Sequence, residues 1–354
     1  MNGYYYDYNK VNIETPEERE NKRKRQRRLF SRVFLALFIY TMACELLVTG
    51  GSFIAYYLLP AEKYTEIFSN TVYRLLISCA VQYLIAFPLL LLALRGTECS
   101  HPKEKSKLSE KNFFLLLFIA EAFMYAGNLI GVYLNQVVEN ITGALPENDI
   151  ATYVTEIPLW LTFIVMVVIG PIVEEIIFRK LLIDRLSIYG DRLAILFSAV
   201  AFGLLHRNLY QFFYATFIGL VFGYVYTSTR NVKYTVYMHM FLNFMGSVVA
   251  LQMQTVIQDF SEMLEMLTMG LNVDLVKLLF SGSIMLTYTN VQYGMLIGGI
   301  IALVHFVKKK QISISADKEI YLSDKEIIKG GVANTGTILF IISCVVGMIL
   351  SIIQ

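Results

Sequence analysis

Long apolar stretches recur along this chain, separated by short polar segments. Nine stretches approach or exceed the ~20 apolar residues that cross a bilayer as a helix. They fall at about 31–58, 72–95, 113–138, 157–184, 191–206, 209–229, 233–253, 288–307 and 334–353. The pattern therefore predicts an all-α, polytopic transmembrane bundle of about eight or nine spanning helices. The stretch 254–287 fits less well: Asp259, Glu262 and Glu265 alternate with Leu and Met, as in an amphipathic helix lying on the outer surface. The Met-rich part, 253–269, is expected to pack against the bundle. No internal repeat and no separate soluble domain is visible. Residues 1–29 read as a polar, basic N-terminal segment and residues 30–354 as one multi-span membrane domain.

Composition agrees with the pattern. Of the 354 residues, 56% are hydrophobic and 16% charged, against roughly 25% charged in soluble domains. The net charge of +2 gives no reason to expect a nucleic-acid partner. The placement of charge is more informative. A basic run, Lys22-Arg23-Lys24-Arg25-Gln26-Arg27-Arg28, precedes the first span and predicts a cytoplasmic N-terminus. It could also meet anionic lipid headgroups. Segment 96–112 then falls inside and carries Lys103, Lys105, Lys107 and Lys111, while 139–156 falls outside with Glu139, Glu147, Asp149 and Glu156 and no Lys or Arg. Arg230, Lys233 and Lys308 to Lys310 again fall inside. The polar, Tyr-rich start does not look like a cleavable signal, so the first span is expected to act as the targeting signal. Cys44, Cys79, Cys99 and Cys344 are scattered and form no disulfide framework. Asn140-Ile141-Thr142 fits a glycosylation sequon, a pattern common by chance.

Ionisable groups inside a membrane span are costly and mark function by default. The fourth span holds Pro171-Ile-Val-Glu174-Glu175-Ile-Ile-Phe-Arg179. Glu175 and Arg179 are four apart, share a helix face and can pair. Glu174 points about 100° away and has no cation three or four residues from it. Pro171, one turn earlier, can bend or open the helix. Of the four histidines, His101 and His305 read as surface or interface groups. His206 ends the fifth span after Phe202-Gly-Leu-Leu, and His239 lies in the seventh, four residues before Asn243 and on the same helix face.

Glu-Glu-x-x-x-Arg, Phe-x-x-x-His and His-x-x-x-Asn, in this order across successive spans, resemble the signature of the CAAX-protease and bacteriocin-processing (CPBP) intramembrane proteases. The resemblance covers about 155–250. It implies an endopeptidase acting on a membrane-associated protein or peptide. By that resemblance Glu174 is the base that activates water, and His206 orients the water. His239 and Asn243 donate to the developing oxyanion. Glu175, Arg179 and Phe202 support the site. The resemblance favours a mechanism with no cofactor. The alternative is a zinc ion held by Glu174, His206 and His239, although HExxH is absent. Counting residues puts His239 about 10 Å, Glu174 about 15 Å and His206 about 20 Å from the cytoplasmic surface, so a tilted or partial span is needed to bring them together. A cavity open toward the cytoplasm is expected. Two rival readings remain: a non-catalytic immunity or scaffold protein of the same family, and a transporter. Neither the substrate nor the oligomeric state is written in the sequence.

Overall fold

A computed structural model describes residues 14–101, 103–143, 156–310, 312–315 and 317–353. The N-terminal 13 residues and the predicted outer acids Glu147 and Asp149 lie outside the described residues. The described chain is helical, with no strand. In chain order the helices are α1 (Pro16–Leu58), α2 (Ala61–Ser69), α3 (Thr71–Ala93), α4 (Glu110–Thr142), α5 (Leu159–Tyr189), α6 (Asp191–Leu205), α7 (Leu209–Thr229), α8 (Val232–Thr268), α9 (Leu275–Lys308), α10 (Asp324–Val332) and α11 (Thr335–Ile353). Eight of them are long and apolar enough to cross a membrane. The protein is an integral, multi-pass membrane protein.

The structure revises one expected span and the expected surface segment. Helix α6 has 15 residues, about 22 Å at 1.5 Å per residue, short of the ~30 Å hydrocarbon thickness. It begins at a corner and stops inside the bundle, and α7 returns beside it. The amphipathic stretch 254–287 is not a separate surface helix. Its two halves extend α8 and α9 into a long antiparallel hairpin, in which Met253, Met263 and Leu278 are buried and Lys277 pairs with Asp259 at 3.2 Å. Only part of its apolar surface faces a partner helix: Leu264, Leu267, Leu279 and Phe280 among others stay exposed. Helix α8, at 37 residues, is about 55 Å long and exceeds the bilayer core.

Small residues bring α4, α6 and α7 close enough to build a site between them. Gly219 and Gly223 of α7 form a small-xxx-small pair against α6: a Cβ at Gly219 would meet Ala199 Cα at 3.0 Å, and one at Gly223 would meet Ile195 Cγ2 at 2.8 Å. On the other side of α7, a Cβ at Gly131 of α4 would lie 2.8 Å from the Tyr210 carbonyl oxygen. The turn from α5 to α6 needs Gly190, whose φ of +110° is closed to other residues.

The segments expected inside converge on one face of the bundle. Arg25 pairs with Glu98 at 2.6 Å, and Lys103 and Arg230 both pair with Asp191, at 3.0 and 2.6 Å. The Ser106 amide donates to Thr229 O and the Glu319 amide to Ile188 O, each at 3.0 Å. Helix α10 joins this face through Glu326, which accepts from Arg19 and Arg23. Those two guanidiniums and Ser323 hold the Glu326 carboxyl well below the usual carboxylate range.

Candidate active site

Helix α5 changes winding on both sides of the two acids. Residues 163–169 and 176–183 are π-helical, and Gly170–Glu175 between them is α-helical. Pro171 explains part of this, because it supplies no amide to the ladder. Wide turns of this kind recur at functional sites. In α8, π-helical winding begins at Phe244, directly after Asn243.

The adjacent acids have opposite environments. Glu175 is fully buried. Arg179 Nε donates to its Oε2 at 2.9 Å and Nη2 to its Oε1 at 3.3 Å, while Nη1 donates to Ser198 Oγ at 3.2 Å. Ser198 Oγ–H continues the chain to Phe178 O at 2.7 Å. The guanidinium also lies against the Phe202 and Phe222 rings, 5.3 and 5.7 Å from their centroids. A buried ion pair holds only when its remaining donors are satisfied, and Ser198 meets that need. Glu174 has no such lock. Its side chain is about a quarter exposed and reaches His239 Nε2 at 3.6 Å.

His239 links the acids. Its Nδ1 is 3.2 Å from Glu175 Oε1, so Nδ1 carries the proton and donates, and Nε2 faces Glu174 and the cavity. Asn243, one turn along α8, donates one amide N–H to Met166 O at 2.8 Å. Its second N–H stays available. His206 caps α6, with Nδ1 2.8 Å from Phe202 O. Phe202 packs on both imidazoles, with centroids 4.9 Å from His206 and 5.7 Å from His239. This ring bridges the depth difference left by residue counting: α6 stops inside the bundle, one turn beyond Phe202.

Glu174, Phe202, His206, His239 and Asn243 line one cavity of about 720 Å³. Glu175 and Arg179 lie behind its wall. Among the described residues, no three His, Cys, Asp or Glu side chains converge as a metal-ligand set. His206 Nδ1 and His239 Nδ1 are both turned to protein acceptors, and ligation would fall to their Nε2 atoms. Sequence reasoning did not find several cavity residues: Glu121 of α4, Tyr83 of α3, Tyr214 of α7, and Tyr288 and Gln292 of α9.

Comparison with known proteins falls on this same region. Residues 156–245 match the type II CAAX prenyl endopeptidase Rce1-like family. The Rce1-like segment runs from the start of α5 into α8, so it contains both acids, both histidines and Asn243. The chain is 28% identical over 185 residues to "Putative membrane peptidase YdiL" of Bacillus subtilis (strain 168), covering 50% of this chain and 71% of that protein. It is 29% identical over 143 residues to "UPF0177 protein YbdJ" of Lactococcus lactis subsp. lactis (strain IL1403), covering 39% of this chain and 61% of that protein. No solved structure matches the chain. The Rce1-like match relates this chain to membrane proteases of the CAAX type. Helices α1 to α4 and α9 to α11 lie outside it.

Proposed function

We propose that the protein is an intramembrane endopeptidase that cleaves a membrane-associated protein or peptide by glutamate-activated water attack. The observation that carries this reading is the division of labour between neighbours: Glu175 is locked by Arg179 and His239, and Glu174 stands free at the cavity wall. A general base must reach the water it deprotonates, and Glu174 reaches the cavity whereas Glu175 is enclosed behind its wall.

In the proposed reaction Glu174 takes a proton from a water held by His206, and the hydroxide attacks the peptide carbonyl. The oxyanion accepts from Asn243 through its free N–H. It also accepts from His239 Nε2–H when that nitrogen carries a proton, the ring being held in place by the Nδ1 contact with Glu175. The C–N bond then breaks, and Glu174 returns its proton to the leaving amine. Glu175, Arg179 and Phe202 are positioning residues. No metal enters this scheme. If zinc were the resident group, the imidazole Nε2 atoms and Glu174 would hold it, and it would supply an activated water.

The basic segments gathered on one face fit a cytoplasmic N-terminus, with cleavage near that side of the membrane. Comparative peptidomics of cells carrying native protein or the Glu174→Ala variant tests the reading. Peptides that depend on Glu174 support it. Identical peptidomes, with the phenotype of the native protein retained, indicate a binding role instead.

A further inference from the structure

Half of the cavity wall lies outside the Rce1-like segment, and it carries a second carboxylate. Glu121 of α4 is 6% exposed and lines the cavity. Its Oε2 has no hydrogen-bond partner, and no cation pairs with it among the described residues. A buried carboxylate without a partner is expensive, more so inside a membrane span. The other buried acids are paired: Glu175 with Arg179, Asp191 with Arg230 and Lys103. A carboxyl with no partner in the protein, at the wall of a cavity, is placed to receive one from a bound molecule.

The surroundings of Glu121 say what that partner is. Tyr125 and Asn128 continue its face of α4 at i+4 and i+7, and Tyr288 and Gln292 face the same cavity from α9. Gln292 Nε2 donates to Tyr288 OH at 2.9 Å, which leaves Gln292 Oε1, a second buried acceptor, without a donor. Among the described residues, no Lys or Arg lines the cavity. The wall offers carboxylate and amide acceptors and tyrosine ring faces, all complementary to a cationic group.

The geometry points to a specificity subsite in which Glu121, with Gln292 and the tyrosines of α4 and α9, receives a lysine or arginine side chain of the peptide substrate. This assignment rests on the endopeptidase reading and gives that reading a substrate class: segments with a basic residue at a fixed distance from the scissile bond. It also places selectivity on helices outside the matched segment, apart from the groups assigned to the chemistry.

The test separates binding from cleavage. Acetylated, amidated tripeptides Leu-Lys-Leu and Leu-norleucine-Leu are titrated into the full-length Glu174→Gln variant in lipid nanodiscs. The lysine peptide should bind about 10-fold tighter or more, the scale of one charge-assisted hydrogen bond. Adding Glu121→Gln, a near-isosteric change, should remove the difference. Equal binding of the two peptides overturns the assignment, as does a lysine preference that survives Glu121→Gln. A preference for Leu-Gln-Leu over both also overturns it, making Glu121 a neutral hydrogen-bond donor. Cleavage of a proteome-derived peptide library by the otherwise native protein provides the second readout, with Lys or Arg enriched at one position and the enrichment lost in Glu121→Gln. Lysine-selective binding with no Glu174-dependent cleavage would defeat the endopeptidase reading and leave the subsite standing. Cleavage without a basic preference would do the reverse.

Discussion

His239 Nδ1 lies 3.2 Å from Glu175 Oε1 while its Nε2 lies 3.6 Å from Glu174 Oε2. One imidazole thus touches a carboxylate that is buried and fixed and one that is open to the cavity. The contact with Glu175 fixes the tautomer and the ring plane, and so decides which nitrogen the cavity sees.

The two acids should respond differently to substitution. Glu175→Ala leaves Arg179 charged, buried and without its partner, and should destabilise by about 3–5 kcal/mol. Glu174→Gln removes no buried ion pair and should stay within about 1 kcal/mol of native. Thermal unfolding of the two variants in one detergent measures the difference. Equal losses would show that the acids are structurally equivalent.

Phe202→Ala should cost about 3–5 kcal/mol as a buried large-to-small change. It should also lower cleavage in the surviving folded fraction, because the same ring lies against His206, His239 and Arg179. Phe202→Leu keeps most of the volume and should recover much of the stability but less of the activity. Full activity in Phe202→Ala would remove its positioning role.

Asn243→Ala should slow cleavage about 10²–10³-fold, the loss typical of one oxyanion donor, with KM much less affected than kcat. A loss confined to KM would reassign Asn243 to substrate binding.

Much of this was legible in the sequence, for stated reasons. The Glu175–Arg179 pair follows from i,i+4 spacing. The freedom of Glu174 follows from the absence of a cation near it in sequence. The same reasoning applies to Glu121, with Leu117, Phe118, Met124 and Tyr125 at its helical neighbours, although Glu121 stands outside the motifs. Ser198 was invisible, since it meets Arg179 across two helices. The short α6 read as a full span because its apolar run continues up to His206; it ends at a tight return in which Arg207 takes a positive φ and Asn208 caps α7. The α8–α9 hairpin was missed because amphipathicity does not say whether the apolar face meets lipid or another helix.

Chelation discriminates between the two ways of activating water. Purified protein treated with 1,10-phenanthroline and dialysed should hold no stoichiometric zinc and should cleave as before. Loss of cleavage restored by zinc would assign the water to a metal held through His206 and His239.

Cysteine accessibility tests the orientation. A single cysteine at Lys107 should react with an impermeant maleimide only from the cytoplasmic side, and one at Asn70 only from the opposite side. The reverse pattern would invert the bundle.

The most direct test of the central claim is cleavage by purified protein in nanodiscs, native against Glu174→Gln, with products mapped by mass spectrometry. Native protein should release defined peptide fragments, and Glu174→Gln should reduce that release by about 10³-fold or more, the scale expected for loss of an essential base, while its unfolding temperature is retained. Fragment release by a folded Glu174→Gln variant at the native rate would contradict the assignment of Glu174 as the base.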